Sequence, residues 1–274
     1  MTPADLQRLP VRPPDHRVAY GDDASQIGEL RLPAGRGPHP VVVLIHGGCW
    51  KAEYATLRDL GPIGDALKDE GIASWNIEYR RLGQPGSGWP GTYVDVGRGI
   101  DHLRQLAPAH NLDLARVAVL GHSAGGHLTM WVATRQRLSP KSPLHVSNPL
   151  PVRGVINLAG TIDMSQNIAH MEAECHDAVV TGMLQGTPAS VPDRYREVSA
   201  NTMLPLGVPQ ILIWGEHENF VPRDLAERHV EAAVKAGDRA RLILVPDAGH
   251  FETASPRSAA WSVVRDAIRS LLKE

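Results

Sequence analysis

Residues 116–126 read RVAVLGHSAGG, an apolar run followed by a glycine-rich turn. Arg116 to Leu120 predicts a β-strand, and the apolar segment from Ala124 to about Leu138 predicts a helix. Between them stands Gly121-His122-Ser123-Ala124-Gly125, a G-x-S-x-G motif. On a sharp turn from strand to helix, small neighbours let the backbone close, and the serine hydroxyl projects from the end of the sheet. The stretch therefore predicts that Ser123 is a nucleophile.

Strand and helix signals alternate on both sides of this turn. Val41 to Ile45 is a continuous apolar run, typical of a strand buried on both faces of a parallel sheet. Further strands are predicted at Arg17–Tyr20, Ile27–Leu32, Ile72–Tyr79, Val152–Leu158, Gln210–Trp214 and Arg241–Val245, with helices near 57–67, 93–106, 225–236 and 257–272. This alternation predicts a single α/β domain over residues 1–274, with a mostly parallel eight-stranded sheet flanked by helices.

Two segments do not follow the alternation. Residues 1–16 are rich in proline and charge, and we expect them to form a loose arm. Residues 165–205 contain proline, glycine and methionine with weak periodicity, between two predicted strands. We expect this second segment to be an insertion over the top of the sheet, a candidate cap or lid.

A second glycine-rich turn follows the strand Val41–Ile45. It reads His46-Gly47-Gly48-Cys49-Trp50. A Gly-Gly step after a buried strand frees backbone N–H groups to point at a bound oxygen. Together with the N–H of Ala124, these groups predict an oxyanion hole, in which each donor contributes about 3–4 kcal/mol to transition-state stabilisation.

His250 is the predicted general base. It lies in Asp247-Ala248-Gly249-His250-Phe251, a loop after a predicted strand, and therefore shares the strand-end face of the sheet with Ser123. The other histidines near the motifs fit this role less well. His122 points away from the serine on the tight turn, His46 shapes the oxyanion turn, His127 lies on the following helix, and His217 is a rival on the preceding loop.

The acid that orients His250 is expected on the loop after Gln210–Trp214. Glu218 is chosen because it stands where that loop has turned, just before Val221-Pro222. We expect Glu216 and Asp224 to be surface acids. Asp247 stays open as an alternative, because it also satisfies the chain order serine, acid, histidine.

Weaker motifs suggest no cofactor. Residues 86–91 match G-x-G-x-x-G by letter, but Pro90 interrupts the segment that should open a helix, so a dinucleotide site is not expected. Trp89 in this loop is a candidate pocket wall, as are Trp50 and His122. A possible metal set, His170, Glu174, Cys175 and His176, fits no common zinc spacing. The sequence thus predicts neither a metal nor an organic cofactor.

The composition excludes several functional classes. Among 274 residues, 28 Lys and Arg stand against 30 Asp and Glu, a net charge of −2, which offers no electrostatic footprint for nucleic acid or an anionic membrane. Cys49 and Cys175 alone cannot build a disulfide framework. The first residues show no signal-peptide pattern, and the longest aliphatic run falls short of the ~20 residues that span a bilayer. We therefore expect a cytoplasmic protein that acts on a small molecule without stable membrane association; its oligomeric state is not predicted.

The motifs together resemble the α/β-hydrolase superfamily of serine hydrolases, over nearly the whole chain. The resemblance is carried by Val41–Trp50, Gly121–Gly126, Glu218 and His250. In finer detail, His46–Trp50, Asn76–Arg80 and Gly88–Gly91 resemble small esterases related to feruloyl and acetyl-xylan esterases, and the catalytic domains of prolyl oligopeptidases. The His-Gly-Gly-x-Trp element is also similar to that of kynurenine formamidases.

The resemblance implies a carboxylic ester hydrolase for small or medium acyl chains. Ser123 would be the nucleophile, His250 the base and Glu218 the acid, and the N–H groups of Gly48, Cys49 and Ala124 would form the oxyanion hole, without a cofactor. Most relatives have Asp where Glu218 stands, and Cys49 replaces a third glycine but keeps the N–H. An aryl formamidase, a small peptidase and a non-catalytic ligand-binding scaffold remain alternatives.

Overall fold

A mixed, mostly parallel sheet forms the centre of the computed structural model, which describes residues 1–166 and 168–273. Its strands are β1 (His16–Ala19), β2 (Ile27–Arg31), β3 (His39–Ile45), β4 (Ala73–Ile77), β5 (Leu112–His122), β6 (Gly154–Leu158), β7 (Gln210–Gly215) and β8 (Ala240–Val245). They lie in the order β1-β2-β4-β3-β5-β6-β7-β8. β2 is antiparallel to β1 and β4, and the other pairs are parallel. The predicted eight-stranded sheet is confirmed.

Helices cover both faces of the sheet. They are α1 (Pro3–Gln7), α2 (Gly61–Asp69), α3 (Gly91–Asp101), α4 (Leu103–His110), α5 (Ala124–Thr134), α6 (Ile168–Glu174), α7 (Val179–Leu184), α8 (Pro192–Val198), α9 (Arg223–Lys235) and α10 (Ala260–Leu272). The single helix expected near 93–106 is divided into α3 and α4 at His102. Within the part of the chain described, no helix is long and apolar enough to cross a membrane.

The apolar run of β3 reflects burial on both faces. Val41, Val43 and Ile45 pack in one core with residues of α3, α4 and α5. Val42 and Leu44 pack in the other with residues of α2 and α10. Successive side chains of a strand point to opposite faces, so a strand covered on both sides needs unbroken apolar sequence. The central strands are thereby held rigidly, with their carboxyl ends at one edge of the sheet.

Residues 3–7 form helix α1, so the expectation of a loose arm was wrong for these residues, whereas residues 10–14 have no regular secondary structure. Thr2 caps the helix: its hydroxyl oxygen accepts from the N–H of Asp5 at 3.2 Å, and the Asp5 carboxylate accepts from the N–H of Thr2 at 2.9 Å. Pro3 occupies the first turn, where its missing N–H costs nothing. Leu6, 3% exposed, anchors the helix in the core beside α2. Proline and charge here serve as helix-start signals.

Three short helices, α6 to α8, lie in the segment 165–205 that was expected to be an insertion. They lie between β6 and β7 in the chain, and Asn167 is outside the described residues. Met171, Val180 and Met183 are buried in the core cluster on the α3–α5 side. The methionines therefore anchor these short helices to the body of the protein.

A disulfide joins Cys49 to Cys175, with 5.9 Å between their Cα atoms. It links the glycine-rich turn after β3 to the residue that follows α6, across a sequence separation of 126. Two cysteines so far apart gave no sequence signal for this pairing, which depends on how the insertion folds back over the sheet. The bond closes a long loop, and in the chain-entropy model such loops give the largest stabilisation.

Removing this disulfide should lower the thermal stability. A typical contribution of about 2–4 kcal/mol predicts that Cys49→Ser combined with Cys175→Ser lowers Tm by roughly 5–15 °C. Thermal unfolding followed by circular dichroism measures this, with a reductant added as the matched control. The reductant should lower the Tm of the unaltered protein and leave that of the double variant unchanged. Two thiols that react in the unreduced, denatured protein would contradict the pairing.

Candidate active site

Ser123 lies on a sharp turn between β5 and α5. Its backbone has φ 55° and ψ −121°, a region that non-glycine residues rarely adopt. The flanking glycines are required by close backbone approach: a Cβ on Gly121 would lie 2.2 Å from the carbonyl oxygen of Gly125, and a Cβ on Gly125 would lie 2.0 Å from that of Ile45. The strained turn is thus packed against the end of β3, which fixes the direction of the serine side chain.

The turn after β3 lies directly against Ser123. A Cβ added to Gly47 would come within 3.0 Å of the Ser123 Cβ. Gly48 and Cys49 both have positive φ, 98° and 51°. Among the described residues, the N–H groups of Gly48, Cys49 and Ala124 donate no hydrogen bond to a backbone or side-chain acceptor. Three donors close to the serine are therefore available to a negatively charged oxygen.

A buried polar network holds this turn in shape. The His46 ring contacts Glu78 through Nε2 at 2.7 Å, and the Tyr79 hydroxyl donates to the His46 carbonyl oxygen at 2.7 Å. The Glu78 carboxylate also accepts from the N–H of Leu57 at 3.1 Å and pairs with Arg81 at 3.2 Å. Burial raises the pKa of Glu78, but the charge and hydrogen bond of His46 and the charge of Arg81 outweigh it, and the pKa lies below its usual value. The Glu78 carboxylate is therefore ionised and held by partners from three segments of the chain.

His250 is oriented by Glu218. The His250 Nδ1–H donates to Glu218 Oε2 at 2.8 Å, and the two side chains are 3% and 1% exposed. The other carboxylate oxygen, Oε1, accepts from the N–H groups of Phe220 at 2.6 Å and Val221 at 3.0 Å. The loop thus wraps around the carboxylate, and the longer glutamate side chain spans the distance to the imidazole.

The other acids considered from sequence lie away from His250. Asp247 is 96% exposed, and its carboxylate lies 4.0 Å from His217 Nε2. Asp224 pairs with Arg228 on the surface of α9, and Glu216 is exposed beside Asp247. Of the two acids left open from the sequence, Glu218 touches the imidazole and Asp247 is exposed to solvent.

Two neighbouring histidines are buried and neutral. Burial, and then the charge of His250, hold the pKa of His122 well below its usual value; its Nε2–H donates to the carbonyl oxygen of His250 at 3.0 Å. Burial lowers the pKa of His127 to about 4, and its ring bonds to the carbonyl oxygen of Val198 at 3.1 Å. Both support the loops around the site and do not compete with His250 as base.

Ser123 and His250 line one cavity of about 510 Å³. Within the described residues, the ring of His250 bonds only through Nδ1, and Nε2 makes no hydrogen bond to the serine hydroxyl. In ligand-free enzymes this bond is often long until substrate binds. Ser123, His250 and the turn with the free N–H groups therefore line the same cavity.

The residues that form the cavity wall differ from those expected from the sequence. Of the three candidate pocket residues, only His122 lines it. Trp50 is fully buried, edge-on to His127 at 5.4 Å, and Trp89 is 8% exposed and packs on Tyr93 at 6.0 Å. The wall is built instead from residues without a local sequence signal: Thr2, Pro3, Ala4, Leu6 and Gln7 at the N-terminus, Tyr54, Asp59 and Leu60, and Glu174 and His176 after β6.

Of the four candidate metal ligands named from the sequence, Glu174 and His176 line this cavity. Cys175, considered from sequence beside His170, Glu174 and His176, is consumed by the disulfide and offers no thiolate. In the described part of the chain, Glu216, His217 and Asp247 do lie together, but all three are exposed and none lines the cavity.

Comparison with known proteins identifies relatives of this fold. Residues 29–232, about three quarters of the chain, match the family model BD-FAE. Esterase LipC of Mycobacterium tuberculosis is 26% identical over 240 residues, 85% of this chain and 59% of LipC. A probable isoprenylcysteine alpha-carbonyl methylesterase of Oryza sativa is 24% identical over 86% of this chain and 57% of its own length. The chain thus spans less than two thirds of these relatives.

Solved structures agree on the architecture. Esterase B from Lactobacillus rhamnosis, crystallised with a tributyrin phosphonate, is similar with a TM-score of 0.79 and 20% identity, over 97% of this chain and 89% of that one. At this identity the likeness concerns the fold. The family match, by contrast, includes the Ser123 turn, the turn after β3 and the loop of Glu218. The chain belongs to the BD-FAE family.

Proposed function

We propose that this protein is a serine hydrolase that cleaves carboxylic esters of small or medium acyl chains. The observation that carries the proposal is the buried His250–Glu218 pair at a cavity that also contains Ser123 and the turn with free N–H groups. A histidine held by a carboxylate beside a serine on a strained turn is the arrangement that activates a hydroxyl for acyl transfer. The esterase names of the curated relatives support the same reaction class.

In the first half of the reaction, His250 Nε2 accepts the Ser123 proton as Oγ attacks the ester carbonyl carbon. The resulting oxyanion accepts hydrogen bonds from the N–H groups of Gly48, Cys49 and Ala124. Glu218 stabilises the imidazolium and keeps Nδ1 protonated, because its own position is fixed by two backbone N–H groups. The imidazolium then protonates the leaving alcohol, and an acyl-serine remains.

In the second half, His250 removes a proton from water as the water attacks the acyl-serine, and the acid leaves with Ser123 restored. No metal or organic cofactor takes part in these steps. The cavity volume of about 510 Å³ supports short or medium acyl chains, because small-molecule sites usually measure about 300–1,000 Å³. Residues 165–205 would act as a cap, since Glu174 and His176 contribute to the cavity wall.

The cellular compartment of the protein bears on the state of its two cysteines. A cytoplasmic location was expected from the absence of a signal pattern and stays a prediction. The Cys49–Cys175 disulfide favours an oxidising compartment, because cytosolic thiols are usually kept reduced. Thiol trapping of the protein in its native cells, followed by a mobility-shift assay, distinguishes the two locations.

Ser123→Ala should lower kcat for p-nitrophenyl acetate by about 10⁴–10⁶-fold while the circular dichroism spectrum and Tm stay unchanged, because loss of one member of a cooperating set removes most of its effect. Labelling by a fluorophosphonate should disappear with it. Ser262→Ala, an exposed serine on α10, is the matched control and should retain both activity and labelling. Activity of Ser123→Ala above a hundredth of the unaltered level would exclude Ser123 as nucleophile.

Glu218→Gln should lower kcat by about 10²–10⁴-fold, because the amide keeps the size of the side chain but removes the charge that stabilises the imidazolium. Asp247→Asn is the matched control: an exposed carboxylate contributes little, so its kcat should change less than about tenfold. Steady-state kinetics on p-nitrophenyl acetate compares the two variants. If Asp247→Asn lowers kcat by more than about a hundredfold while Glu218→Gln lowers it less than about tenfold, the acid is Asp247 and not Glu218.

The choice between ester and amide depends on the leaving group. The same residues would serve an aryl formamidase or a small peptidase, so a substrate panel must separate them. p-Nitrophenyl esters from C2 to C12, N-formylkynurenine and a prolyl p-nitroanilide, assayed in parallel, make this comparison. The proposal requires that at least one ester gives the highest kcat/KM of the panel.

A further inference from the structure

The charged residues of the active-site cavity are of one sign apart from histidine. Its lining contains the carboxylates of Glu53, Asp59 and Glu174, and none of its lining residues is Lys or Arg. Glu53 is 66% exposed and pairs with Lys51 at 2.9 Å, so it contributes little field inside. Asp59 and Glu174 are therefore the two carboxylates whose charge acts inside the cavity.

Asp59 is a buried carboxylate that lines the cavity. It lies on the 3₁₀ turn Leu57–Leu60 and is 8% exposed. Within the described residues no lysine or arginine forms an ion pair with it, although the charge of Arg58 acts on it. The side-chain amide of its neighbour Gln7 donates to the carbonyl oxygen of Tyr54 at 2.8 Å. Burial raises the pKa of Asp59 above its usual value, and the charge of His46, a hydrogen bond from Gln7 and the charge of Arg58 offset this only in part.

The cations nearest to these walls have other partners. Arg58, next to Asp59 in sequence, donates to the carbonyl oxygens of Gln7 and of Leu9, the latter at 3.2 Å. Lys51 pairs with Glu53 and lies 3.6 Å from Asp177. The His46 ring contacts Glu78 through Nε2 at 2.7 Å. In the described structure no ion pair therefore involves the Asp59 carboxylate, and the charges of His46 and Arg58 act on it only from a longer distance.

Glu174 stands at the end of α6, on the wall that the insertion contributes to the cavity. It is partly buried, and in the part of the chain described no ion pair involves it. The disulfide at the next residue, Cys175, ties this wall to the turn beside Ser123. Two carboxylates from separate segments thus face one cavity that also contains the serine.

We propose that Asp59, assisted by Glu174, forms a subsite for the positively charged group of an ester substrate, a quaternary or primary ammonium. This rests on the proposed ester hydrolysis and names its substrate class. Burying a carboxylate without a partner is unfavourable, and a cation bound in the same low-dielectric cavity removes that penalty. An ester with a carboxylate in its acyl or alcohol part is repelled by the same groups, which gives selectivity as well as affinity.

The test compares a cationic ester with its neutral isostere. For a cation in the alcohol part, the pair is butyrylcholine and 3,3-dimethylbutyl butyrate. For a cation in the acyl part, it is the p-nitrophenyl esters of 4-(trimethylammonio)butyrate and 5,5-dimethylhexanoate. We expect the kcat/KM ratio of cationic to neutral ester to exceed about tenfold for one pair, and that pair identifies the part of the substrate that meets Asp59.

Asp59→Asn should lower this ratio by about tenfold, and Glu174→Gln should lower it by about two- to threefold. Asp193→Asn, which removes an exposed carboxylate that pairs with Arg196 on α8 outside the cavity, is the matched control and should leave the ratio unchanged. A ratio of one or less for both pairs in the unaltered protein overturns the proposal, whether or not the variants fold. A ratio that Asp59→Asn leaves intact overturns the role of Asp59.

Binding without turnover separates this inference from the proposed function. In the Ser123→Ala protein, calorimetric titration with each cationic ester and with its neutral isostere measures the cation preference directly. Tighter binding of the cationic ester of one pair that is lost in Ser123→Ala combined with Asp59→Asn supports the subsite even if no ester is hydrolysed. Equal binding within both pairs overturns the subsite, while hydrolysis of the neutral esters would still support the esterase.

Discussion

Two backbone turns that touch each other are the constraint on which the site depends. The end of β3 comes so close to the Ser123 turn that a single methyl group at Gly125 or Gly47 would collide with Ile45, His122 or Ser123. Both turns contain non-glycine residues at positive φ, Ser123 and Cys49. Such conformations persist only where the surroundings over-determine them. The parallel strands, which are covered by helices on both faces, hold these two turns in place. The serine and the free N–H groups therefore keep their relative positions without a ligand.

Two buried carboxylates, Glu78 and Glu218, hold the other parts of the site in position, and each has several hydrogen-bond partners. Glu78 receives His46, Arg81 and a backbone N–H, and it fixes the turn with the free donors from behind. Glu218 receives His250 and two backbone N–H groups of its own loop. Satisfied networks of this kind specify one arrangement, whereas a carboxylate lacking a partner carries a penalty. Asp59 is the contrast: it lines the cavity, and no ion pair in the described structure involves it, which is why we propose it as a partner for the substrate.

The cavity is finished by segments that lie far from the motifs in sequence. Helix α1 closes one side, and the chain near Glu174 closes another, where the disulfide joins it to Cys49. The family match, residues 29–232, includes Ser123 and Glu218 but neither α1 nor His250. The proposed reaction and the proposed choice of substrate therefore have different structural sources: Ser123, Glu218 and His250 follow strand ends, whereas much of the cavity wall comes from the added segments.

The sequence by itself determined the sheet and the two glycine-rich turns at Ser123 and after β3, because each depends on short-range physics: alternation of buried strands with helices, and glycines where backbones meet. It ranked Glu218 first but left Asp247 open, since both acids precede His250 and only the folded loop shows which one touches the ring. It misjudged residues 1–16, Trp50 and Trp89, and it could not pair Cys49 with Cys175. These depend on which surfaces meet after folding, and contacts between residues more than 100 positions apart, such as that disulfide, leave no periodic or local trace in the chain.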